Sequence, residues 1–320
     1  MRSIGEARAK LPQPFIDKLY EYFSPLLADK ILQGYTGIRY PSLRANTLKT
    51  DVRTVMRELA QYNIKYQRVT WYHDALVITS CTERELMQLP CYEKGDIYLQ
   101  TLSSMLPPLI LQPQPGEKIL DLTAAPGSKT TQMAAIMGNQ GQIIAVEIDY
   151  IRYQRLQYNI IKQGASIVQP VHDNGVIFGK KEANAFDKVL LDAPCSGEGL
   201  FLVNTPGTYR SWKQKLVDHC RHLQRKLLDT AIYAVKPKGY ILYSTCTINP
   251  LENELIINDA LKQYGDQLRV VAINIQLPNK MAGLTQIDNL TLNPSLANSI
   301  RIIPDKYWEG FYCCLLQKQY

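Results

Sequence analysis

The sequence predicts an α/β protein in which a doubly wound sheet follows a small α+β domain. From residue 95 onward, short apolar runs alternate with helical segments, which is the pattern of a doubly wound sheet. A βαββ succession comes before that point. The chain has 320 residues, of which 46% are hydrophobic and 20% are charged. This length exceeds one average domain, and the composition is that of a soluble globular protein. We therefore predict two domains, at 1–92 and 93–320.

The first domain is predicted from alternation and capping signals. These indicate a helix over 15–28, a strand over 42–48, a helix from Asp51 to 62, and strands over 67–71 and 75–78. Residues 1–70 contain 12 Lys and Arg against 6 Asp and Glu, with tyrosines between them. Basic charge with aromatic rings suits a nucleic acid, through phosphate attraction and base stacking. A solvated surface over ordinary core tyrosines explains the same composition equally well.

The second domain is predicted from strands that alternate with helices and end at glycine stops. Gly138 and Gly164 end the first two helices. A long amphipathic helix over 212–235 precedes the last parallel strand, and the tail resembles a closing antiparallel hairpin over 300–303 and 310–316. The remaining elements, in order, are a strand over 118–122, a helix over 128–137, a strand over 142–147, a helix over 150–163, and strands over 167–171, 189–191 and 240–243.

A turn of small residues follows the first strand of this domain. Pro126 and Gly127 end the strand and begin a helix, whose first backbone N–H groups can bind an anion. A P-loop requires a first glycine where Leu122 stands and a Gly-Lys pair, which Ser128 interrupts here. The fingerprint Gly-x-Gly-x-x-Gly is also absent. The turn therefore indicates a nucleotide-like cofactor without supporting a nucleotide triphosphatase or a nicotinamide enzyme.

Three acids stand at successive strand ends. Glu147 lies about 20 residues after the glycine turn, where an acidic side chain can bond ribose hydroxyls. Asp173 ends the next strand and could reach an adenine amino group, and Asp192 ends the one after that. Any one of them alone would more often be a surface residue. Together, in this order, they indicate a cofactor crevice.

Two cysteines, Cys195 and Cys246, each follow a predicted buried strand. Because ligands bind beyond the carboxyl ends of parallel strands, we expect both thiols to face one crevice beside Asp192. A thiol pair with an acid favours nucleophilic chemistry, and a cation such as Lys129 could raise the thiolate fraction. A lone buried cysteine would by default be a packing residue. We interpret the other five cysteines as packing residues: Cys81, Cys91, Cys220, Cys313 and Cys314.

Three segments together resemble the signatures of the Sun/Nop-type RNA cytosine-5 methyltransferases. They are DLTAAPGSKT at 121–130, LDAPCSGEG at 191–199 and YSTCTINPLENE at 243–254. Segments 42–49 and 97–107 resemble the N-terminal and core-entry segments of the same family, so the likeness covers nearly the whole chain in order. The Ser-Gly-Glu-Gly ending is most similar to the branch of bacterial ribosomal small-subunit methyltransferase F. That branch often carries further C-terminal domains, and this chain stops at the closing strand.

The resemblance implies a Rossmann-like methyltransferase fold that uses S-adenosylmethionine to methylate carbon 5 of a cytidine in RNA, with ribosomal RNA expected as the target. It implies that Cys246 attacks carbon 6, that Cys195 helps to release the product, that Asp192 contacts the base at N3, and that Lys129 supports the site. Thr123 stands where relatives often have cysteine. The implied cofactor contacts are Thr123, Ala124, Ala125, Pro126, Gly127, Ser128, Lys129, Glu147, Asp173 and Asp192.

Three other functions are alternatives to methylation of ribosomal RNA. In one alternative the protein carries out the same methylation on transfer RNA. In another it is an RNA-binding assembly factor whose methyltransferase fold no longer catalyses a reaction. A DNA methyltransferase is disfavoured, because it would leave Cys246 without a role. The expectations also include no membrane span or signal peptide, no metal, a monomer as the default, and a cytoplasmic location, since an odd number of cysteines without a Cys-x-x-Cys pair argues against disulfides and zinc.

Overall fold

The computed structural model describes residues 3–320, which form two compact units interleaved along the chain. The first unit comprises residues up to Arg39 with Ala193–Asp229 and Tyr243–Tyr320. The second comprises Tyr40–Asp192 and Thr230–Leu242. The sequence prediction at 1–92 groups the elements differently, because residues up to Arg39 and residues 40–92 fall in different units.

Three short helices open the first unit. The predicted single helix over 15–28 is wrong, because Pro25 has no N–H to continue one helix and instead begins the next. The aromatic ring of Phe15 packs edge-on against Phe201 and Trp212, with ring centroids 5.0 and 5.8 Å away. These helices therefore share a core with the segment after Cys195. They are α1 (Ile4–Lys10), α2 (Gln13–Tyr22) and α3 (Pro25–Gly34).

A four-stranded antiparallel sheet opens the second unit. The predicted cap is confirmed, since the Asp51 carboxylate accepts the Thr54 N–H at 3.0 Å. The elements are β1 (Ser42–Ala45), α4 (Val52–Gln61), β2 (Tyr66–Arg68), β3 (Ala75–Ile78), α5 (Glu83–Leu86), α6 (Pro90–Glu93) and β4 (Ile97–Leu99). The strand order is β2-β3-β1-β4, so the last strand of this sheet comes after residue 92.

The chain then alternates between helices and strands. The elements are α7 (Leu102–Leu111), β5 (Lys118–Asp121), α8 (Ser128–Ile136), β6 (Gln142–Glu147), α9 (Tyr150–Gln163), β7 (Val168–His172), α10 (Gly175–Lys180), β8 (Phe186–Asp192), α11 (Gln214–Ala234) and β9 (Val235–Thr245), of which residues 214–229 and 243–245 belong to the first unit. The strand order is β9-β8-β5-β6-β7. β5 pairs in parallel with both β6 and β8. The predicted doubly wound α/β fold is confirmed, and β9 continues along the chain into the first unit.

The C-terminal part of the first unit ends in an antiparallel arrangement. Its elements are α12 (Glu254–Tyr264), β10 (Leu268–Val271), β11 (Lys280–Ala282), β12 (Gln286–Ile287), β13 (Leu290–Thr291), β14 (Ile300–Ile302) and β15 (Phe311–Lys318). β14 and β15 pair antiparallel with Ile300 opposite Cys313, which confirms the predicted closing hairpin. β15 also pairs antiparallel with β10, through residues 315–318.

Candidate active site

The turn after β5 has the geometry of an anion-binding helix start. Gly127 caps α8 with φ of 103°, a left-handed conformation that favours glycine, and no side chain caps the helix. The first backbone N–H groups of α8 lack intrahelical acceptors and carry the positive end of the helix dipole. Ala124 and Ala125 are each only 6% exposed and present no large side chain. The turn can therefore accept an anionic ligand close to its backbone.

The acids at the ends of β6 and β7 sit where the sequence predicts them. The Glu147 carboxylate, 3% exposed, accepts the Asp149 N–H at 2.9 Å. Asp173 directly follows β7, accepts the Asn174 N–H at 2.7 Å, and lies 3.4 Å from the Lys181 amine. Both carboxylates are held by backbone donors, which fixes their direction while leaving further lone pairs for a ligand.

Arg152, on α9, is a site residue that the sequence analysis missed. Its guanidinium donates to the Ala125 carbonyl at 2.7 Å and lies 3.7 Å from the Glu147 carboxylate. It therefore joins the turn after β5 to the acid after β6. Its position in the first turn after the Asp149 cap was the only available signal, and that signal does not distinguish it from other surface arginines.

Lys129 and Asp192 form the charged pair of the second unit. The Lys129 ammonium lies 2.6 Å from the Asp192 carboxylate and donates to the Ser104 hydroxyl at 2.8 Å. Thr123 donates its hydroxyl to the Asp192 carbonyl at 2.9 Å, which holds the end of β8. The structure thus brings together three of the predicted residues, and it gives Thr123 a contact to the backbone of Asp192.

Asp121, at the end of β5, is a buried acid beside this pair. Its pKa is raised to about 7, chiefly by burial; the hydrogen bond from Thr130 at 2.7 Å opposes this rise, the Asp192 charge adds to it, and the Lys129 charge opposes it. One carboxylate oxygen of Asp121 has no hydrogen-bond partner. The sequence placed this residue only at a strand end, because burial is set by tertiary packing.

The two predicted thiols lie side by side in the first unit. The sulfur atoms of Cys195 and Cys246 are 3.2 Å apart, and both side chains are partly buried. Gly199 donates its N–H to the Cys246 carbonyl at 3.0 Å, and a Cβ on Gly199 would come within 2.8 Å of that oxygen. Glycine is therefore required here for the two cysteine loops to approach each other.

The Cys195 thiol resists losing its proton. Its pKa is raised well above the usual range for a thiol, first by the hydrogen bond to Cys246, then by burial, and then by the charges of Cys246 and Glu252. Because the thiolate is the nucleophilic form of cysteine, Cys195 is poorly suited to attack near neutral pH.

Of the five remaining cysteines, Cys220 interacts electrostatically with Cys246 and Glu252 and so lies near the thiol pair. Cys91, Cys220, Cys313 and Cys314 are buried, and Cys81 is partly buried. Across residues 3–320, no group of three or more His, Cys, Asp or Glu side chains is arranged to hold a metal ion. Within the same range, no helix combines the length and apolar character of a membrane span.

This fold and this turn define the class of S-adenosylmethionine-dependent methyltransferases. A solved methyltransferase homologue from Pyrococcus horikoshii superposes with a TM-score of 0.84 at 29% identity, and the match covers 98% of each chain. The family model described as 16S rRNA methyltransferase RsmB/F matches residues 108–317. The chain belongs to this family, which confirms the resemblance seen in the sequence.

Two curated relatives illustrate the range of the family. Ribosomal RNA small subunit methyltransferase F of Serratia proteamaculans (strain 568) is 36% identical over 87% of this chain and 57% of its own length. A tRNA (cytosine(49)-C(5))-methyltransferase of Pyrococcus abyssi (strain GE5 / Orsay) is 35% identical over 87% of this chain and 88% of its own length. The chain therefore spans little more than half the length of the Serratia enzyme and most of the Pyrococcus one.

Proposed function

We propose that this protein transfers a methyl group from S-adenosylmethionine to carbon 5 of a cytidine in RNA, through a transient bond between Cys246 and carbon 6. The observation that carries the proposal is the thiol pair, whose sulfur atoms are 3.2 Å apart. Carbon 5 of cytosine is a poor nucleophile, and a sulfur bonded to carbon 6 makes it electron-rich. One reactive sulfur with a second thiol beside it suits that chemistry.

The donor groups of the second unit fit S-adenosylmethionine. The uncapped start of α8 suits its carboxylate, and the fixed carboxylate of Glu147 suits its ribose hydroxyls. Asp173 is assigned to the adenine amino group. The remaining assigned contacts are Thr123, Ala124, Ala125, Pro126, Gly127, Ser128, Lys129 and Asp192. When bound, this cofactor supplies an electrophilic methyl group on a sulfonium.

The first chemical step is assigned to Cys246 with Asp192 and Lys129. The Cys246 thiolate forms a bond to carbon 6, and the displaced ring electrons make carbon 5 nucleophilic. Asp192, which lies 2.6 Å from the Lys129 ammonium, takes a proton from solvent, passes it to N3 of the base as the ring electrons shift, and takes it back when the product is released. Carbon 5 then takes the methyl group, and the Lys129 charge supports the charge shift at the ring.

Cys195 is assigned to the release of the product. Once the Cys246 sulfur is bonded to carbon 6, it is no longer a charged acceptor for the Cys195 proton. Cys195 can then lose its proton to solvent and accept the proton that leaves carbon 5. The electron pair of that C–H bond restores the ring double bond, and the bond between carbon 6 and Cys246 breaks to return the thiolate.

The RNA class is assigned to ribosomal RNA, because several relatives of highest similarity bear ribosomal names. The Pyrococcus relative is named for transfer RNA and matches over a larger share of its own length, so transfer RNA is the second candidate. We assign residues 1–92, with their excess of basic charge, to RNA binding. A cytoplasmic monomer is proposed, in keeping with seven cysteines that form no disulfide.

The test is Cys246→Ala in the full chain, assayed for transfer of radiolabelled methyl groups to ribosomal and transfer RNA. We expect turnover to be abolished while S-adenosylmethionine still binds, because the sulfur is lost and the cofactor turn is unchanged. Wild-type turnover in this variant would contradict the covalent mechanism. Wild-type protein that binds cofactor and RNA but transfers no methyl group would instead favour the assembly-factor reading.

A further inference from the structure

A buried carboxylate behind the thiols, on Glu252, has no part in the proposed chemistry. Glu252 is fully buried. One of its oxygens accepts the Ser196 N–H at 2.8 Å and a Gln224 amide N–H at 3.1 Å, and the other accepts the Ser196 hydroxyl. A fully buried carboxylate without an ion pair is costly unless its hydrogen bonds are strong, so its position calls for a reason.

These bonds connect the two cysteine loops. Ser196 directly follows Cys195, and its hydroxyl lies 3.0 Å from the hydroxyl of Thr247, which directly follows Cys246. Glu252 therefore holds the residue after one thiol, and through it the residue after the other. The Gln224 amide also donates to the Pro194 carbonyl at 2.8 Å, on the opposite side of Cys195.

A second buried acid, Glu198, lies in the same network. One oxygen of its carboxyl accepts from the Trp212 indole and from the Asn249 amide, both at 3.0 Å. Burial, together with the charge of Glu252, raises the pKa of Glu198 to about 8. Near neutral pH the Glu198 carboxyl therefore holds a proton, and burial also raises the pKa of Glu252.

Other titratable groups face these acids from several elements. Cys195, Cys220 and Tyr243 each interact electrostatically with Glu252. Tyr22 and Tyr35, from the N-terminal helices, interact with Glu198, and Tyr22 also faces Arg221 and Lys18. The groups that donate hydrogen bonds to Glu252, on Ser196 and Gln224, are neutral.

We propose that Glu252 is a positioning residue of the two-thiol site, whose carboxylate holds the two cysteine loops, and with them the two sulfur atoms, together. The consequence for turnover rests on the proposed function, whereas the effect on the thiols does not. A purely structural role would predict only a loss of stability when Glu252 is changed. The two roles are therefore separable by measuring the thiols themselves.

Two variants with a matched control make this separation. Glu252→Gln keeps an oxygen for the Ser196 N–H and a polar partner for its hydroxyl, but removes the charge. Ser196→Ala keeps the charge and removes the hydroxyl that joins the two loops. Asp259→Asn removes a negative charge from the outer face of α12, where Asp259 pairs with Arg225, and serves as control.

The first measurement is alkylation of the ligand-free full chain by iodoacetamide between pH 6 and pH 10, resolved by mass spectrometry at each cysteine. In Glu252→Gln we expect Cys195 to react about tenfold faster at pH 8, the effect of one pKa unit, because a negative charge that disfavours its thiolate is gone. Asp259→Asn should match the wild type. A Cys195 profile in Glu252→Gln that superposes on the wild type would overturn the proposal.

The second measurement is the steady-state rate of methyl transfer by Ser196→Ala. We expect kcat to fall at least tenfold with KM for RNA and cofactor unchanged, because the loops lose their link while the binding groups remain. Wild-type kcat in this variant would overturn the loop-holding role, even where Glu252→Gln does not fold. If the wild type transfers no methyl group to RNA, the proposed function fails, and the alkylation result alone decides the role of Glu252.

Discussion

Each unit contains a pair of ionisable side chains, and the two pairs differ in their surroundings. They are Lys129 with Asp192 in the second unit and Glu198 with Glu252 in the first. Lys129 and Asp192 form an ion pair at 2.6 Å, with side chains 11% and 27% exposed. Glu198 and Glu252 are buried and hydrogen-bonded to neutral donors, which leaves burial to raise the pKa of both. The main electrostatic feature around Lys129 and Asp192 is thus an ion pair, whereas that around Glu198 and Glu252 is the desolvation of two acids.

This difference indicates which pair should make the stability of the protein depend on pH. The Lys129–Asp192 pair is an interaction between opposite charges, so a substitution that removes one charge removes the interaction. An acid whose pKa lies near 8 changes its charge within the neutral range. We therefore expect charge substitutions to matter most at Lys129 and pH to matter most at Glu198.

Lys129→Met tests the ion-paired region, where we expect the largest effect. Loss of the ammonium removes the ion pair with Asp192 and the electrostatic support at the ring, so kcat for methyl transfer should fall about 100-fold. Lys129→Arg, which retains the charge, should recover part of that loss. Equal rates for Lys129→Met and the wild type would show that the pair has no role in turnover.

Glu198→Gln tests whether the buried acids of the first unit make the free energy of unfolding depend on pH. The folded-state pKa of about 8 exceeds the unfolded value near 4.5, so the folded state binds more protons between these values. The wild type should therefore lose stability as pH rises from about 4.5 to about 8, by at most a few kcal/mol. Glutamine keeps the oxygen that accepts from Trp212 and Asn249, and should flatten this dependence.

The measurement for Glu198→Gln is the free energy of unfolding in urea at several pH values. Asp121, whose pKa is raised to about 7, should leave a smaller slope of the same sign in the variant. Glu21→Gln, at an exposed carboxylate beside Lys18, is the control and should follow the wild type. A variant slope as steep as that of the wild type would show that Glu198 does not carry the effect.

Arg152→Ala should give the smallest effect, because half of this side chain is exposed to solvent. It loses one bond to the Ala125 carbonyl and a longer contact to Glu147, worth about 1 kcal/mol together. We expect the dissociation constant for S-adenosylmethionine, measured by calorimetry, to rise roughly fivefold. Arg155→Ala, on an exposed position of the same helix, should bind as the wild type does.

The sequence predicted those features that depend on local patterns. The Asp51 cap, the glycine turn at Gly127 and the strand-end positions of Glu147 and Asp192 follow from capping, turn and strand signals. The helix break before Pro25 follows from a local signal as well, because proline cannot continue a helix. The predicted helix over 15–28 did not take this signal into account. The family motifs identified the thiols before any geometry was known.

The unpredicted features depend on contacts between distant parts of the chain. Glu252 and Ser196 are 56 residues apart, and Arg152 is 27 residues from the carbonyl it holds. No periodicity or spacing in the sequence reports such a contact. The raised pKa of Asp121 likewise follows from its burial, which a strand-end position alone does not specify.

The most direct test of the two-thiol mechanism is the fate of Cys195→Ala with RNA and S-adenosylmethionine. Without the second thiol the product should remain bonded to Cys246, and a denaturing gel should show a protein–RNA adduct that the wild type and Cys195→Ala/Cys246→Ala lack. Turnover of Cys195→Ala at the wild-type rate, with no adduct on the gel, would contradict the assignment.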